Sequence, residues 1–368
     1  YINAHNKYTS NIKKNKVKGR CLDMKKEFGT TRNGETASCY ILKNSKGMKA
    51  VVSDFGAALL KLYVPDKNGK SQDVVLGYET LEDYENGGDS VGATVGRVAN
   101  RIGTGAFELN GKKYELTKND NGENTLHGGT DFYNKRMWSV KEEDDTHVVF
   151  MLVSPDGDQG FPGEVKIEVS YTVTEENELK IHYYAIPDQD TLLNMTNHSY
   201  FNLAGHASGT ACNAKVWLDA DAFTETDAEL IPTGTVIPVE GTPMDFREGK
   251  KVAKEIGADY KPLKLAGGYD HNWVLNGSGF RKVASAESEE TGIKMEVYTD
   301  LPGIQFYSGN FLAGAKGKEG AVYGKGCGIC FETQYFPDAI HKDNFESPIT
   351  KAGEVYDTTT TYRFCWFS

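Results

Sequence analysis

Apolar and polar residues alternate along most of this chain in short runs, with glycine-rich breaks between them. A period of two marks strands buried on one face. It predicts strands at 39–43, 49–54, 59–64, 73–78, 107–109 and 113–116, with 25–28 opening the ordered part. Further strands are predicted at 138–141, 146–153, 164–173, 179–185, 216–218, 283–286, 294–299, 328–335 and 360–367. Asn110-Gly111 is the strongest hairpin signal, because both positions of a tight primed turn favour such residues. Residues 80–86 predict a single helical turn, and 248–256 is the best short helix candidate. There is no βαβ alternation, internal repeat or linker. The expected fold is all-β, one large antiparallel β-sandwich over 25–368. Residues 1–24 are read as an N-terminal extension, either an arm lying on the body or a processing remnant.

One stretch has an unusual polar face. In Asn194-Met195-Thr196-Asn197-His198-Ser199-Tyr200-Phe201-Asn202-Leu203, alternation puts Asn194, Thr196, His198, Tyr200 and Asn202 on one side. Ordinary strands offer water Lys, Glu or Thr; this one offers amides, an imidazole and a phenol, short groups suited to gripping hydroxyls. It reads as the wall of a polar cleft with His198 at its centre, or as a core strand with a satisfied histidine.

Composition narrows the classes. Forty glycines, 20 tyrosines and 17 phenylalanines against 11 prolines suit many strands joined by glycine turns. A net charge of -11 argues against nucleic acid or an anionic membrane as partner. No apolar run approaches the ~18–20 residues that span a bilayer. Of six cysteines, only Cys327-Gly-Ile-Cys330 has metal or redox spacing, and no second pair completes a zinc site. They read as free thiols in a reducing compartment, which gives a cytoplasmic expectation.

Five more segments share the texture of 194–203. GRVANRI (96–102) sets two arginines and an amide in an apolar context. NTLHGG (124–129) puts His127 before a glycine pair, where backbone can approach a ligand closely. GYDHN (268–272) gathers an acid, an imidazole and an amide. PGIQFY (302–307) holds Gln305 between apolar residues, and FETQYFPD (331–338) carries Glu332 and Gln334 on one strand face. Each has a plain structural reading: Arg97 or Arg101 pairs a buried acid, NTLHGG is a turn, Glu332 is a buried structural carboxylate, and Asp338 shapes a turn. An unpaired buried carboxylate is costly, however, and an apolar site turns it into a useful base.

Taken together, GRVANRI, NTLHGG, NMTNHSYFNL (194–203), GYDHN, GIQFYSGNFL (303–312) and FETQYFPDAI (331–340) resemble the aldose 1-epimerase (galactose mutarotase) family, in the family's order from about residue 27 onward. The resemblance implies a galactose mutarotase-like β-sandwich with an aldose sugar in an open cleft, no cofactor and no metal, as a monomer or homodimer. It implies that His198 is the general acid at the ring oxygen and Glu332 the base at the C1 hydroxyl. His127 would assist beside them, while Asn100, Arg101, Asp270 and Gln305 hold hydroxyls and Tyr200 shapes the cleft. The extension, the Ser90-Val91-Gly92-Ala93 approach and His341 after PDAI depart from the family pattern.

Chemistry agrees with that assignment. Exchanging anomers needs a donor and an acceptor at two oxygens of one carbon, and imidazole gives or takes a proton near neutrality. A glycoside hydrolase would want two carboxylates, with Asp270 and Glu332 available, but would leave His198 without a role. A non-catalytic carbohydrate-binding protein is the other alternative. A metal held by His127, His198 and His271 is disfavoured because the three lack ligand spacing. A sugar phosphate would want clustered cations, so a free hexose is preferred.

Overall fold

The computed structural model describes residues 24–367. The proposed extension, apart from Met24, and Cys21 lie outside the described residues. Within them, Val165–Val173 and Glu178–Pro187 show how the sequence builds sheet. Buried residues recur at every second position along both, and the two strands pair antiparallel in full register. They lie inside a nine-stranded sheet that runs, in spatial order, Ser139–Glu143, His147–Ser154, Val165–Val173, Glu178–Pro187, Tyr356–Trp366, Ile293–Thr299, Arg281–Glu287, Lys215–Leu218 and Lys250–Lys251.

A six-stranded sheet packs against it, ordered Tyr200–Phe201, Ile329–Gln334, Gly303–Tyr307, Asp270–Leu275, Ala220–Thr226 and Pro232–Pro238. Its two faces are chemically opposed. The row His271, Phe306, Phe331 turns into the core, where Phe201 and Phe331 meet Tyr362 of the nine-stranded sheet. On the other face, ladder pairing aligns Asp270, Tyr307, Cys330 and Tyr200 in one row. Asn272, Gln305 and Glu332 form the next. The sheet therefore buries an apolar face and presents a polar one, the antiparallel sandwich arrangement expected. A five-stranded meander from Lys25–Thr30 to Ser71–Asp73 completes the larger sheets.

Two local expectations are corrected. Residues 248–256 form the short edge strand Lys250–Lys251 and a 3-10 turn at Val252–Lys254, not an α-helix. The helix lies just beyond, at Lys261–Ala266, with a proline in its first turn and Gly267 closing it at φ 66°. The 194–203 stretch is also not one strand. Thr196–His198 pairs with Ala93–Val95, whereas Tyr200–Phe201 pairs with Ile329–Gln334. The helical turn at Leu81–Asn86 forms as expected, behind a capping box from Thr80 and Asp83. The Asn110-Gly111 hairpin joins Ala106–Leu109 to Lys112–Glu115. No described helix is long and apolar enough to cross a membrane.

Candidate active site

A cavity of about 180 Å³ opens over the polar face of the six-stranded sheet. The sheet supplies Tyr200, Asp270, Tyr307 and Glu332; loops and short strands above it supply His198, Asn100, Arg101, Leu126, His127, and the rim residues Gly88, Asp89, Ser90, Phe132 and Phe311. Seven of the eight residues singled out from sequence line this space. Gln305 does not; it sits beside Asp270 and donates its amide to Asp270 Oδ1 at 2.7 Å.

Two loops are locked together at the top. His127 donates its backbone N–H to the Asn100 carbonyl at 3.0 Å, and Asn100 returns its own N–H to His127 Nδ1 at 3.1 Å. Because Nδ1 accepts, the proton of neutral His127 is on Nε2. Burial holds the ring neutral, pushing its pKa well below the ordinary value, with His198 and Arg101 adding to the effect. The glycine after it makes a close approach, but to the chain itself: a Cβ on Gly128 would lie 2.2 Å from the Gly96 carbonyl oxygen. Arg101 is held at its Nε by Asp120 Oδ2 at 3.0 Å. Asn100 Oδ1 accepts the Arg101 N–H at 2.8 Å. The loop carrying them is fastened from below by Asp338, whose Oδ1 takes the Gly103 N–H at 2.9 Å.

The centre is an imidazole facing a carboxylate. His198 Nε2 lies 3.7 Å from Glu332 Oε1, and both side chains are buried. Burial pushes His198 down to about 4. It pushes Glu332 well above the carboxylate range, the nearby Asp270 charge adding to the rise and Arg101 opposing it. Glu332 Oε2 is buried without a hydrogen-bond partner among the described residues. His127, His198 and Glu332 place ligand-capable atoms within 4.8 Å of one another. A metal centre is nevertheless poorly served, because His127 Nδ1 is taken by Asn100 and its Nε2 carries a proton.

The two tyrosines differ. Tyr200 donates its hydroxyl to the Asp89 carbonyl at 2.9 Å, so it offers the cavity a ring. Tyr307 Oη accepts the Phe311 N–H at 2.9 Å and keeps its own proton to give. Sequence reasoning missed Tyr307, although it stands two residues beyond Gln305 on the same strand face. Several expected polar residues are structural instead. Arg97 is buried against the carbonyls of Pro162 and Gly163 and the Ser154 hydroxyl. His271 is on the core face, its ring edge-on to Phe223 and Trp273, which removes it from any cluster with His127 and His198. Asn194 bonds the backbone of Tyr335, and Asn202 the carbonyls of Gly209 and Cys327.

Comparison with known proteins identifies the family. The aldose 1-epimerase family model matches residues 38–363. Galactose mutarotase of Bos taurus is 43% identical over 322 residues, covering 87% of this chain and 92% of that protein. Aldose 1-epimerase of Escherichia coli is 36% identical over 336 residues, 90% of this chain and 96% of that one. Among solved structures, an aldose epimerase homologue from C. elegans superposes with a TM-score of 0.84 at 35% identity, covering 90% of this chain and all of the other. The protein is thus an isomerase on a galactose mutarotase-like sandwich. The chain belongs to the aldose 1-epimerase family, whose reaction interconverts the anomers of aldose sugars.

Proposed function

We propose that His198 and Glu332 are the two proton carriers of this reaction and that free hexoses, galactose and glucose, are its substrates. The observation that carries the reading is the 3.7 Å approach of His198 Nε2 to Glu332 Oε1, with both side chains buried in the cavity wall. Their environments push the two pKa values in opposite directions, His198 to about 4 and Glu332 upward. In ring opening, Glu332 takes the proton from the C1 hydroxyl, the C1–O5 bond breaks, and His198 delivers a proton to O5. Rotation about C1–C2 turns the aldehyde. In closure Glu332 returns its proton to the carbonyl oxygen while His198 removes the one on O5, and the opposite anomer results.

One proton shared by the pair serves both directions. Desolvation favours the uncharged arrangement, imidazole with carboxylic acid, which is the form that closes the ring. Sugar hydroxyls supply the polar contacts that let the charged arrangement form for opening. His127 Nε2–H donates toward the same two oxygens, and Asn100, Arg101, Asp270 and Tyr307 hold the remaining hydroxyls. Gln305 acts through Asp270. Arg101 is the one Arg or Lys lining the cavity among the described residues, which favours an uncharged sugar over a sugar phosphate.

A cytoplasmic location belongs to the same reading, supported by five described cysteines standing as free thiols. Polarimetry on freshly dissolved α-D-galactose and α-D-glucose tests it: optical rotation should reach equilibrium far faster than in buffer, and relaxation at the buffer rate on both sugars would refute the substrate assignment.

A further inference from the structure

His198 has two ring nitrogens, and one strand meets both of them. Nε2 faces Glu332, and Nδ1 lies 3.6 Å from Cys330 Sγ. Cys330 and Glu332 stand two residues apart in Ile329–Gln334, so their side chains leave the same face of the sheet. Ladder pairing to Tyr200 on one side and Tyr307 on the other fixes where Cys330 sits. Its side chain is fully buried. Burial, with Glu332 and Asp270 adding to it, pushes the thiol well above its ordinary value and keeps the sulfur protonated.

A partner on Nδ1 decides what Nε2 can do. In the cycle described above His198 gives and takes its proton at Nε2, so Nδ1 has to keep its own proton in both the imidazole and the imidazolium. A carboxylate there would accept but would favour the imidazolium; an amide N–H would only donate and would force the neutral ring's proton onto Nε2. A neutral thiol receives weakly through its sulfur, so it holds the Nδ1 proton without adding a charge.

Resting on the assignment of His198 as a proton carrier, we propose that Cys330 is the positioning residue that holds the His198 tautomer. Its sulfur accepts Nδ1–H in both the neutral and the charged ring, which leaves Nε2 free to give the proton to O5 and to take it back. The other groups facing the imidazole, Glu332, His127, Tyr200 and Tyr307, approach its Nε2 side or its ring faces and edges, and none of these four hydrogen-bonds Nδ1. No proton leaves the thiol in either state, so the protons of the ring-opening step balance without it.

Nitrogen-15 spectra of histidine-labelled wild-type protein test the claim directly, because they report which ring nitrogen is protonated. The expected result for neutral His198, assigned by its loss in His198→Asn, is a proton on Nδ1 and an accepting Nε2. A proton on Nε2 in the neutral ring would overturn the proposal. In Cys330→Ala the tautomers should mix and kcat should fall about five- to tenfold with KM little changed, the loss of one modest hydrogen bond. Cys330→Ser should restore both the spectrum and most of kcat. Wild-type tautomer and wild-type kcat in Cys330→Ala would also overturn it, with His198 still catalytic. Full activity in His198→Asn would instead overturn the acid–base reading beneath it.

Discussion

Asn100 and His127 hold each other through two hydrogen bonds, one from each backbone N–H, and the second ends on His127 Nδ1. This clamp turns a histidine into a donor of fixed direction. His127→Asn should fit the backbone, since Asn tolerates the φ of 53° found there, but its amide is too short to reach the sugar. We expect kcat to fall about 100-fold, comparable to removing one preorganised donor, with melting temperature little changed. Unchanged kcat would show that the clamp is structural only.

Tyr200 and Tyr307 predict opposite outcomes from one substitution. Tyr307→Phe removes a hydroxyl that has a proton to give to the sugar, so KM should rise about five- to tenfold with kcat nearly kept. Tyr200→Phe removes a donor already committed to the Asp89 carbonyl, so it should cost about 1 kcal/mol of stability and leave KM nearly alone. Steady-state kinetics and thermal melts on the two variants separate the cases.

The pH profile follows from one shared proton. Activity should decline on the acid side as His198, at about 4, takes up a second proton. It should decline on the alkaline side as Glu332, raised above the carboxylate range, loses the last one. Between them kcat should be level across neutrality. Asp270→Asn removes the charge that helps to raise Glu332, so the alkaline limb should move to lower pH while KM rises. An alkaline limb that stays put would remove Asp270 from the electrostatics.

Asp338 links loop order to pH. Burial pushes its carboxyl up, but bonds from His341, Lys342 and the Gly103 N–H outweigh that and leave it below the ordinary value. Its contribution to stability is therefore present above the unfolded carboxylate pKa of about 3.9 and lost as pH falls through the lower folded value. Asp338→Ala should lower the melting temperature at pH 7, by a margin that shrinks as the pH drops toward 3. A pH-independent difference would count against the linkage.

The sandwich and half of the cavity lining were legible because their signals are local. Alternation marks a half-buried strand, and amides or imidazoles on a strand face stand out against the usual Lys and Glu. What escaped depends on distant partners. Nothing in 194–203 shows that Thr196–His198 pairs with Ala93–Val95 and Tyr200–Phe201 with another sheet. Asn194 and Asn202 share the expected polar face with His198, yet both end on backbone groups. Gln305 and Tyr307 lie on one face, and only the ladder shows that Asp270 stands across from Tyr307, with the Gln305 amide turned back to its carboxylate. The helix at Lys261–Ala266 is too short for apolar periodicity, though its proline and closing glycine were visible.

The central claim is that His198 and Glu332 work as one unit. Its most direct test is the initial polarimetric rate on α-D-galactose for His198→Asn, Glu332→Gln and the double variant, each checked for an intact fold by circular dichroism. Each single variant should lose roughly 10²–10⁴-fold in kcat, and the double variant should be scarcely slower than the weaker single one. Near wild-type kcat in either folded single variant would contradict the account.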